Sequence, residues 1–300
     1  MIANRPDARG ARRSATRPIA AMRSTTLAGR MPAATWVIVP TYNEAASIER
    51  LLRSVAAVLA EAAPGEHRIL VVDDGSPDGT GDIADRLAAE LSAVEVLHRS
   101  ERQGLGPAYL AGFAHALQAG ATHVMEMDSD FSHDPGDLAR LLAAVREGAD
   151  LALGSRYVPG GAVADWSLLR RIVSRGGSLY ARAVLSVDVE DLTGGFKCFR
   201  REVLEAIDLS TVRSFGYAFQ VELTYRAVQA GFGVVEVPIT FRNRVRGTSK
   251  MSPRIAWEAI LLLPRLRQRG GRRARVVRPP TAPPQGGDRG EAGEPAEAPR

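Results

Sequence analysis

Two aspartates separated by one residue, Asp128 and Asp130, follow the apolar run Val-Met-Glu-Met. Residues two apart in an extended chain project to the same side, so both carboxylates can converge on one cation. Oxygen ligands suit Mg²⁺ or Mn²⁺, and phosphate oxygens of a nucleotide can complete the coordination shell. Ser132 or His133 could add a ligand, directly or through water. The spacing therefore indicates a divalent-metal site.

A second polar group, Pro-Thr-Tyr-Asn-Glu, begins at Pro40 and ends another apolar run. Ligands of open α/β sheets bind beyond the carboxyl ends of the strands. Tyr42 could stack on a base there, and Glu44 could accept hydrogen bonds from it. The alternative is a plain turn from strand to helix, with Asn43 as the N-cap.

Asp73 and Asp74 end a third apolar run. Adjacent buried carboxylates are costly unless they are paired or hydrogen-bonded. One could accept the N–H groups of a base while the other caps the turn. The Pro-Asp-Gly that follows is itself a turn signal, so one of the two has a purely structural explanation.

Cationic residues form two further groups. Arg156 ends a predicted strand, and Arg170 and Ser174 lie four residues apart on one helix face, where they suit a phosphate. Arg244 and Lys250 flank a Gly-Thr-Ser loop that could fold over a diphosphate. The alternatives are a solvated basic helix and a basic surface loop.

These groups need elements that bring them together, and the periodicity predicts such elements. Continuous apolar runs alternate with helical patterns, which is typical of an α/β fold with a mostly parallel sheet covered by helices. We predict strands at Thr35–Pro40, Arg68–Val72, Val94–His98, His123–Met127, Asp150–Leu153 and Val234–Phe241, and helices at Ile48–Leu59, Asp82–Leu91, Pro107–Ala119, Asp137–Glu147, Leu168–Leu185 and Gln220–Ala230.

Composition limits the class of protein. A hydrophobic content of 45% and a charged content of 24% are ordinary for a globular protein. The single cysteine, Cys198, excludes an internal disulfide and a cysteine-cluster metal site, and we expect it to be buried. We predict disordered tails at 1–33 and 269–300 around a catalytic domain at 34–268. No run reaches the roughly 20 apolar residues of a membrane span, and no secretory signal is expected.

The order of the motifs carries more weight than any one of them. Over about residues 35–265 the chain resembles the family 2 glycosyltransferases, which use nucleotide sugars and have the GT-A fold. Longer strings narrow the resemblance to the dolichol-phosphate (polyprenol-phosphate) mannosyltransferases. Those strings are DDGSPDGT, RQGLGPAYLAGFAHAL, MDSDFSHDP, GSRYVPGG, DLTGGFKCFRR and RGTSK.

The resemblance implies a role for each motif. GDP-mannose would be the donor, a polyprenyl (dolichyl) phosphate the acceptor, and Mg²⁺ or Mn²⁺ the cofactor, with Asp130, Arg156 and Arg170 at the catalytic centre. Gln220 and Glu222 lie in a region that often lines the site. The implied metal ligands are Asp128, Asp130 and Ser132, and some relatives have Gln in place of Ser132. The implied acceptor-phosphate residues are Arg156, Arg170 and Ser174. The implied donor-binding residues are Pro40, Tyr42, Glu44, Asp73, Asp74, Asp128, Asp130, Arg244 and Lys250.

A phosphate acceptor also simplifies the chemistry. It loses its second proton near pH ~6, so it is already an anion and needs no dedicated general base. A lipid acceptor predicts a cytoplasmic protein that is peripheral at the membrane surface, held there by the helix at about Ile255–Leu266 or by a separate membrane-anchoring protein. No nucleic-acid partner is expected.

Rival interpretations remain at this point. Another donor such as UDP-glucose, or a different acceptor, keeps the family and changes the substrate. A basic nucleic-acid-binding protein would use the basic N-terminal 33 residues for sequence-independent contacts. An inactive nucleotide-sugar-binding scaffold is the third, which the intact pair Asp128 and Asp130 disfavours.

Overall fold

The computed structural model describes residues 34–212, 214, 216–243 and 262–268. Both predicted tails and the loop that carries Arg244 and Lys250 lie outside these residues. A 3₁₀ turn occupies Leu209–Thr211, and residues 262–268 are helical. The other elements are β1 (Thr35–Thr41), α1 (Ile48–Ala62), β2 (His67–Asp73), α2 (Thr80–Glu90), β3 (Val94–His98), α3 (Leu105–Gln118), β4 (His123–Glu126), α4 (Asp137–Arg146), β5 (Leu151–Ser155), β6 (Ala162–Val163), α5 (Leu168–Leu185), β7 (Lys197–Arg200), α6 (Arg201–Ala206), α7 (Tyr217–Gln229), β8 (Val234–Pro238) and β9 (Thr240–Phe241).

Seven strands form one sheet in the order β3-β2-β1-β4-β7-β5-β8. The pairs β1–β2, β1–β4, β2–β3 and β5–β8 are parallel. The register sets Thr41 opposite Asp73, and Asp73 opposite His98, so these strands end at one edge. The predicted α/β class with a mostly parallel sheet is confirmed.

The strand β7 was not predicted. It runs antiparallel to both of its neighbours, β4 and β5. Its four residues, Lys-Cys-Phe-Arg, are too few for periodicity to separate a strand from a loop. The predicted strand Val234–Phe241 is also corrected, because its last residues leave β8 and pair with β6 in a separate two-stranded sheet.

Helices cover both faces of the large sheet. Strand residues alternate between two apolar clusters, with Ile38 on the face covered by α3 and α7 and Val39 on the face covered by α1, α2 and α4. Cys198 is fully buried, as expected, and burial raises the pKa of its thiol. In the described part of the chain, every helix is too short or too polar to cross a bilayer.

Helix α3 lies unusually close to the sheet at one point. A Cβ atom added at Gly112 would lie 2.3 Å from Cγ2 of Ile38. Real side chains do not approach this closely, so the contact requires glycine. The close approach of α3 to β1 fixes the helix over the carboxyl edge of the sheet, where its first residues reach the site.

Candidate active site

A cleft of about 330 Å³ opens at the carboxyl edge of the sheet. The ends of β1, β2, β4 and β5 reach it, together with the segment that precedes β7. The cleft gathers most of the predicted site residues that the structure describes: Pro40, Tyr42, Glu44, Asp74, Asp128, Asp130, Ser132, Arg156 and Arg170. Asp73 and Ser174 do not line it.

The Asp-x-Asp pair lies just beyond β4. Asp130 is 6% exposed, and its Oδ1 accepts the backbone N–H of Ser132 at 3.0 Å. The hydroxyl of Tyr109 donates to Oδ1 of Asp128 at 3.5 Å. Burial, and next the charge of Asp128, raise the pKa of Tyr109 well above its usual value, so this hydroxyl stays protonated. The two carboxylates are thus held at the cleft wall.

The chemistry of this donor set fits a hard divalent cation. Asp128 and Asp130 supply carboxylate oxygens, and Ser132 has a hydroxyl at the same wall. Across the described ranges there is no cluster of three His, Cys, Asp or Glu side chains that could hold a metal. Phosphate oxygens or water would therefore complete the shell, which is how Mg²⁺ is usually bound at nucleotide sites.

His133 also lines the cleft and supports the backbone beside the Asp-x-Asp pair. Its Nδ1 accepts the backbone N–H of Asp128 at 3.4 Å, and its ring stacks on Phe196 with centroids 4.7 Å apart. Burial lowers the pKa of His133 to about 4. A neutral imidazole therefore accepts the backbone N–H of Asp128 at neutral pH.

Asp73 and Asp74 have different surroundings although both are buried. Oδ1 of Asp73 accepts the hydroxyl of Ser76 at 2.5 Å, and Oδ2 accepts the Ser76 backbone N–H at 3.2 Å. This carboxylate caps the turn after β2, the structural role that sequence left open for one of the pair. Its predicted part in donor binding stays a prediction.

Asp74 lines the cleft and orders the loop that follows β3. Its Oδ1 accepts Nη1 of Arg99 at 2.5 Å. Its Oδ2 accepts the backbone N–H groups of Gln103 and Gly104 at 3.2 and 3.0 Å. Between these anchors lies Arg102, whose guanidinium sits 4.2 Å from the centroid of the Tyr42 ring. Sequence reasoning missed Arg102, although it opens one of the strings that carried the resemblance.

Arg156 lines the same cleft and is held in a buried ion pair. Its Nε and Nη2 donate to the two carboxylate oxygens of Asp191 at 2.7 and 2.6 Å, and Nη2 also donates to Thr193 at 2.7 Å. Both charged side chains are buried, at 5% and 0% exposure. Asp191 was not predicted, because 35 residues separate it from Arg156 and no local spacing links them.

Arg170 reaches the cleft from α5. Its Nη1 donates to Oδ1 of Asn243 at 2.6 Å, and its guanidinium lies 4.1 Å from the ring centroid of Trp166. Ser174, one turn further along, accepts the hydroxyl of Tyr157 at 2.7 Å. The predicted pairing of Arg170 and Ser174 on one helix face is therefore seen, but only Arg170 lines the cleft.

A buried ion pair lies behind the cleft. Nζ of Lys197 is 3.5 Å from Oε2 of Glu126, and both side chains are fully buried. Lys197 also donates to Oε1 of Gln220, which lines the cleft. Burial lowers the pKa of Lys197 and raises that of Glu126. Glu222 does not line the cleft. Its Oε1 accepts a hydrogen bond from Nη2 of Arg226.

Ligands of open α/β sheets bind beyond the carboxyl ends of the strands, where this cleft and its paired carboxylates lie. The chain belongs to glycosyl transferase family 2, because the model of that family matches residues 36–208. The predicted GT-A class and glycosyltransferase activity are thereby confirmed, and the nucleic-acid-binding alternative is not favoured.

Two relatives are close over most of their length. Polyprenol monophosphomannose synthase of Mycolicibacterium smegmatis is 54% identical over 73% of this chain and 81% of its own. Undecaprenyl-phosphate mannosyltransferase of Micrococcus luteus is 50% identical over 75% of this chain and 90% of its own.

The fold matches solved glycosyltransferases as well. Glucosyl-3-phosphoglycerate synthase of Mycobacterium tuberculosis, solved with Mn²⁺, UDP and glucosyl-3-phosphoglycerate, superposes with a TM-score of 0.59. It is 20% identical and covers 79% of this chain and 80% of that structure's chain. This likeness supports the fold assignment.

Proposed function

We propose that this glycosyltransferase moves a mannosyl group from GDP-mannose to the phosphate of a polyprenyl phosphate, with inversion, to give a polyprenyl β-mannosyl phosphate. The observation that carries the proposal is the polarity of one cleft. The carboxylates of Asp128 and Asp130 and the guanidinium groups of Arg156 and Arg170 line the same cleft. The names of the two close relatives agree with a mannosyl group and a polyprenyl phosphate acceptor.

The carboxylates of Asp128 and Asp130 suit the donor diphosphate, because a divalent cation can bridge the two. Asp128 and Asp130 would hold Mg²⁺ or Mn²⁺, which supplies charge stabilisation for the departing diphosphate. Tyr42 and Glu44, at the end of β1, would take the base. Arg244 and Lys250 keep their predicted role as cations over the diphosphate, in the loop outside the described residues.

The two guanidinium groups suit the acceptor phosphate. Charge-assisted hydrogen bonds from arginine to phosphate oxygens are strong and directional. Asp191 holds Arg156 in a set orientation before any ligand arrives. The phosphate is already an anion at neutral pH, so these arginines need only aim it at the sugar carbon as oxocarbenium character develops. In-line attack then gives the inverted product.

A lipid acceptor requires contact with a membrane, and α5 offers a surface for it. Five large apolar side chains on α5 are 54% to 72% exposed, and the helix sequence contains no acidic residue. Arg171 and Arg175 are exposed on the same helix. Apolar and cationic side chains together are the composition that binds an anionic bilayer surface. The exposed apolar residues are Leu168, Leu169, Ile172, Val173 and Leu179.

The C-terminal helix is a weaker candidate for that surface than the sequence suggested. Its described part, 262–268, buries Leu263 and Leu266 in the core, and Nη1 of Arg267 donates to the carbonyl of Val184 at 2.6 Å. This part packs on the catalytic domain. We place the protein at the cytoplasmic face of the membrane, through α5 and with or without a membrane-anchoring partner.

Transfer assays test the proposal directly. Purified protein would be offered radiolabelled GDP-mannose or UDP-glucose with a short-chain polyprenyl phosphate and Mn²⁺ or Mg²⁺. Lipid-linked label from GDP-mannose alone is the expected result, and label from UDP-glucose alone would contradict it. Flotation with anionic vesicles tests α5: Ile172→Ser/Val173→Ser should release the protein from vesicles while transfer to a detergent-dispersed acceptor continues.

A further inference from the structure

The loop after β3 carries Arg102, which has no part in the proposed transfer. Arg102 is exposed and lines the cleft beside Tyr42 and Glu44. Among the described residues it makes no ion pair, and its guanidinium rests on the ring of Tyr42. Its hydrogen-bond donors are therefore available to a ligand.

The loop holds Arg102 in place from both sides. Asp74 binds the Arg99 side chain before it and the backbone N–H groups of Gln103 and Gly104 after it. Nη2 of Arg99 also donates to Oε1 of Gln103 at 2.7 Å. Because Asp74 is 4% exposed, this anchoring is buried, and the loop is set before a ligand binds.

The strand order places Arg102 at the base end of the cleft. The loop leaves β3, whereas the Asp-x-Asp pair leaves β4, and β2 and β1 lie between them. With adjacent strands about 4.8 Å apart, the ends of β3 and β4 are roughly 14 Å apart. Tyr42 follows β1, so Arg102 reaches toward Tyr42 from the side away from the metal site. A base stacked on Tyr42 would meet Arg102, while the diphosphate extends toward Asp128.

The chemistry of the guanidinium selects one base. A guanidinium presents two parallel N–H donors, which match the O6 and N7 acceptors of guanine. Adenine offers an acceptor and a donor at the same edge, and uracil has no such pair of acceptors. In the ligand-free protein the guanidinium covers the Tyr42 ring, so a base that stacks on Tyr42 displaces it from the ring face toward the edge of the base.

We propose that Arg102 reads the guanine of the donor through paired hydrogen bonds to O6 and N7, with Glu44 accepting from the opposite edge of the base. The proposal rests on the proposed use of GDP-mannose. It assigns nucleotide specificity to a residue outside the Asp-x-Asp and Pro-x-Tyr-Asn-Glu motifs, and it gives Asp74 the task of positioning Arg102.

Calorimetric titration of the full chain with GDP, 7-deaza-GDP and UDP, each with Mn²⁺, tests the proposal. The unaltered protein should bind GDP several-fold more tightly than 7-deaza-GDP, which lacks the N7 acceptor. Arg102→Ala should weaken GDP binding roughly ten- to hundredfold and remove the distinction between the two purines. Arg102→Lys should behave similarly, since an ammonium keeps the charge without the paired donors. Arg140→Ala, an exposed arginine of α4 outside the cleft, is the matched control.

The outcomes separate this inference from the proposed function. If the protein prefers GDP but does not sense N7, or if Arg102→Ala weakens GDP, 7-deaza-GDP and UDP equally, then Arg102 contacts the diphosphate and the inference fails while the mannosyltransferase proposal stands. If the unaltered protein prefers UDP, the proposed donor itself is wrong and the inference falls with it.

Discussion

Arg156 and Asp191 form a buried, two-pronged ion pair, with Nε and Nη2 of the arginine 2.7 and 2.6 Å from the two carboxylate oxygens. The backbone N–H of Arg156 donates to the same carboxylate at 3.0 Å. The pair fixes the plane of the Arg156 guanidinium in the cleft. If Arg156 binds the acceptor phosphate as proposed, Asp191 positions it without touching the acceptor.

Asp191→Asn tests this positioning role. We expect the kcat/KM for the polyprenyl phosphate to fall roughly 10- to 100-fold, because supporting residues of this kind have effects of that size. GDP affinity, measured separately, should stay within about threefold, since the substitution disturbs Arg156 and not the proposed donor-binding residues. Asp188→Asn is the control, as Asp188 is an exposed carboxylate paired with Arg182. Equal loss of donor binding would show that Asp191 supports the whole cleft and not Arg156 in particular.

Asp130→Ala should lower transfer by about 100- to 1000-fold, the scale of losing one preorganised electrostatic contact in the transition state. The substitution removes a carboxylate from the proposed metal site and leaves the apolar clusters intact, so the circular dichroism spectrum should not change. The rate would be followed against Mn²⁺ concentration. Asp137→Ala, outside the cleft, is the matched carboxylate control, and full turnover in Asp130→Ala would refute the metal assignment.

Arg170→Ala should raise the acceptor KM or lower kcat by about tenfold or more, because hydrogen bonds to charged groups contribute about 1.5–3 kcal/mol. Donor affinity should change little. The neighbouring Arg171→Ala is a close control, since Arg171 is exposed and its Nη2 donates to the carbonyl of Val163. With acceptor dispersed in detergent, unchanged kinetics in Arg170→Ala would remove this residue from the acceptor site.

Two glycine substitutions test the packing of the helices. Gly112→Ala should destabilise the protein by about 1–3 kcal/mol, because the added methyl would overlap Ile38. Gly177→Ala should be neutral or stabilising by up to about 1 kcal/mol, since nothing lies within 4 Å of its Cβ position and alanine favours a helix. Urea unfolding of both variants gives the comparison, and equal stabilities would contradict the close contact between α3 and β1.

Much of the site could be predicted because strand ends are visible in the sequence. The runs before Pro40 and Asp73 are continuously apolar, the run before Asp128 is apolar except for Glu126, and the parallel sheet brings their ends to one edge. Local spacing also placed Arg170 and Ser174 on one face of α5.

The remainder depends on contacts between distant segments. Nothing near Arg156 indicates Asp191, and nothing near Glu126 indicates Lys197, because each pair is formed only when β7 and the segment before it enter the sheet. The tasks of Asp73 and Asp74 could not be divided from sequence either, since both are buried and only their partners distinguish them.

The antiparallel strand β7 also constrains the order in which the molecule can be assembled. Strands β1 to β4 can associate as soon as they have been synthesised, but β5 cannot join β4 directly, because β7 fills the position between them. Strands β4 and β5 can therefore be connected within the sheet only after β7 has been synthesised. A nascent chain that ends before this strand would leave the edges of β4 and β5 that face β7 unpaired, and unpaired strand edges are sites at which misassembly can begin.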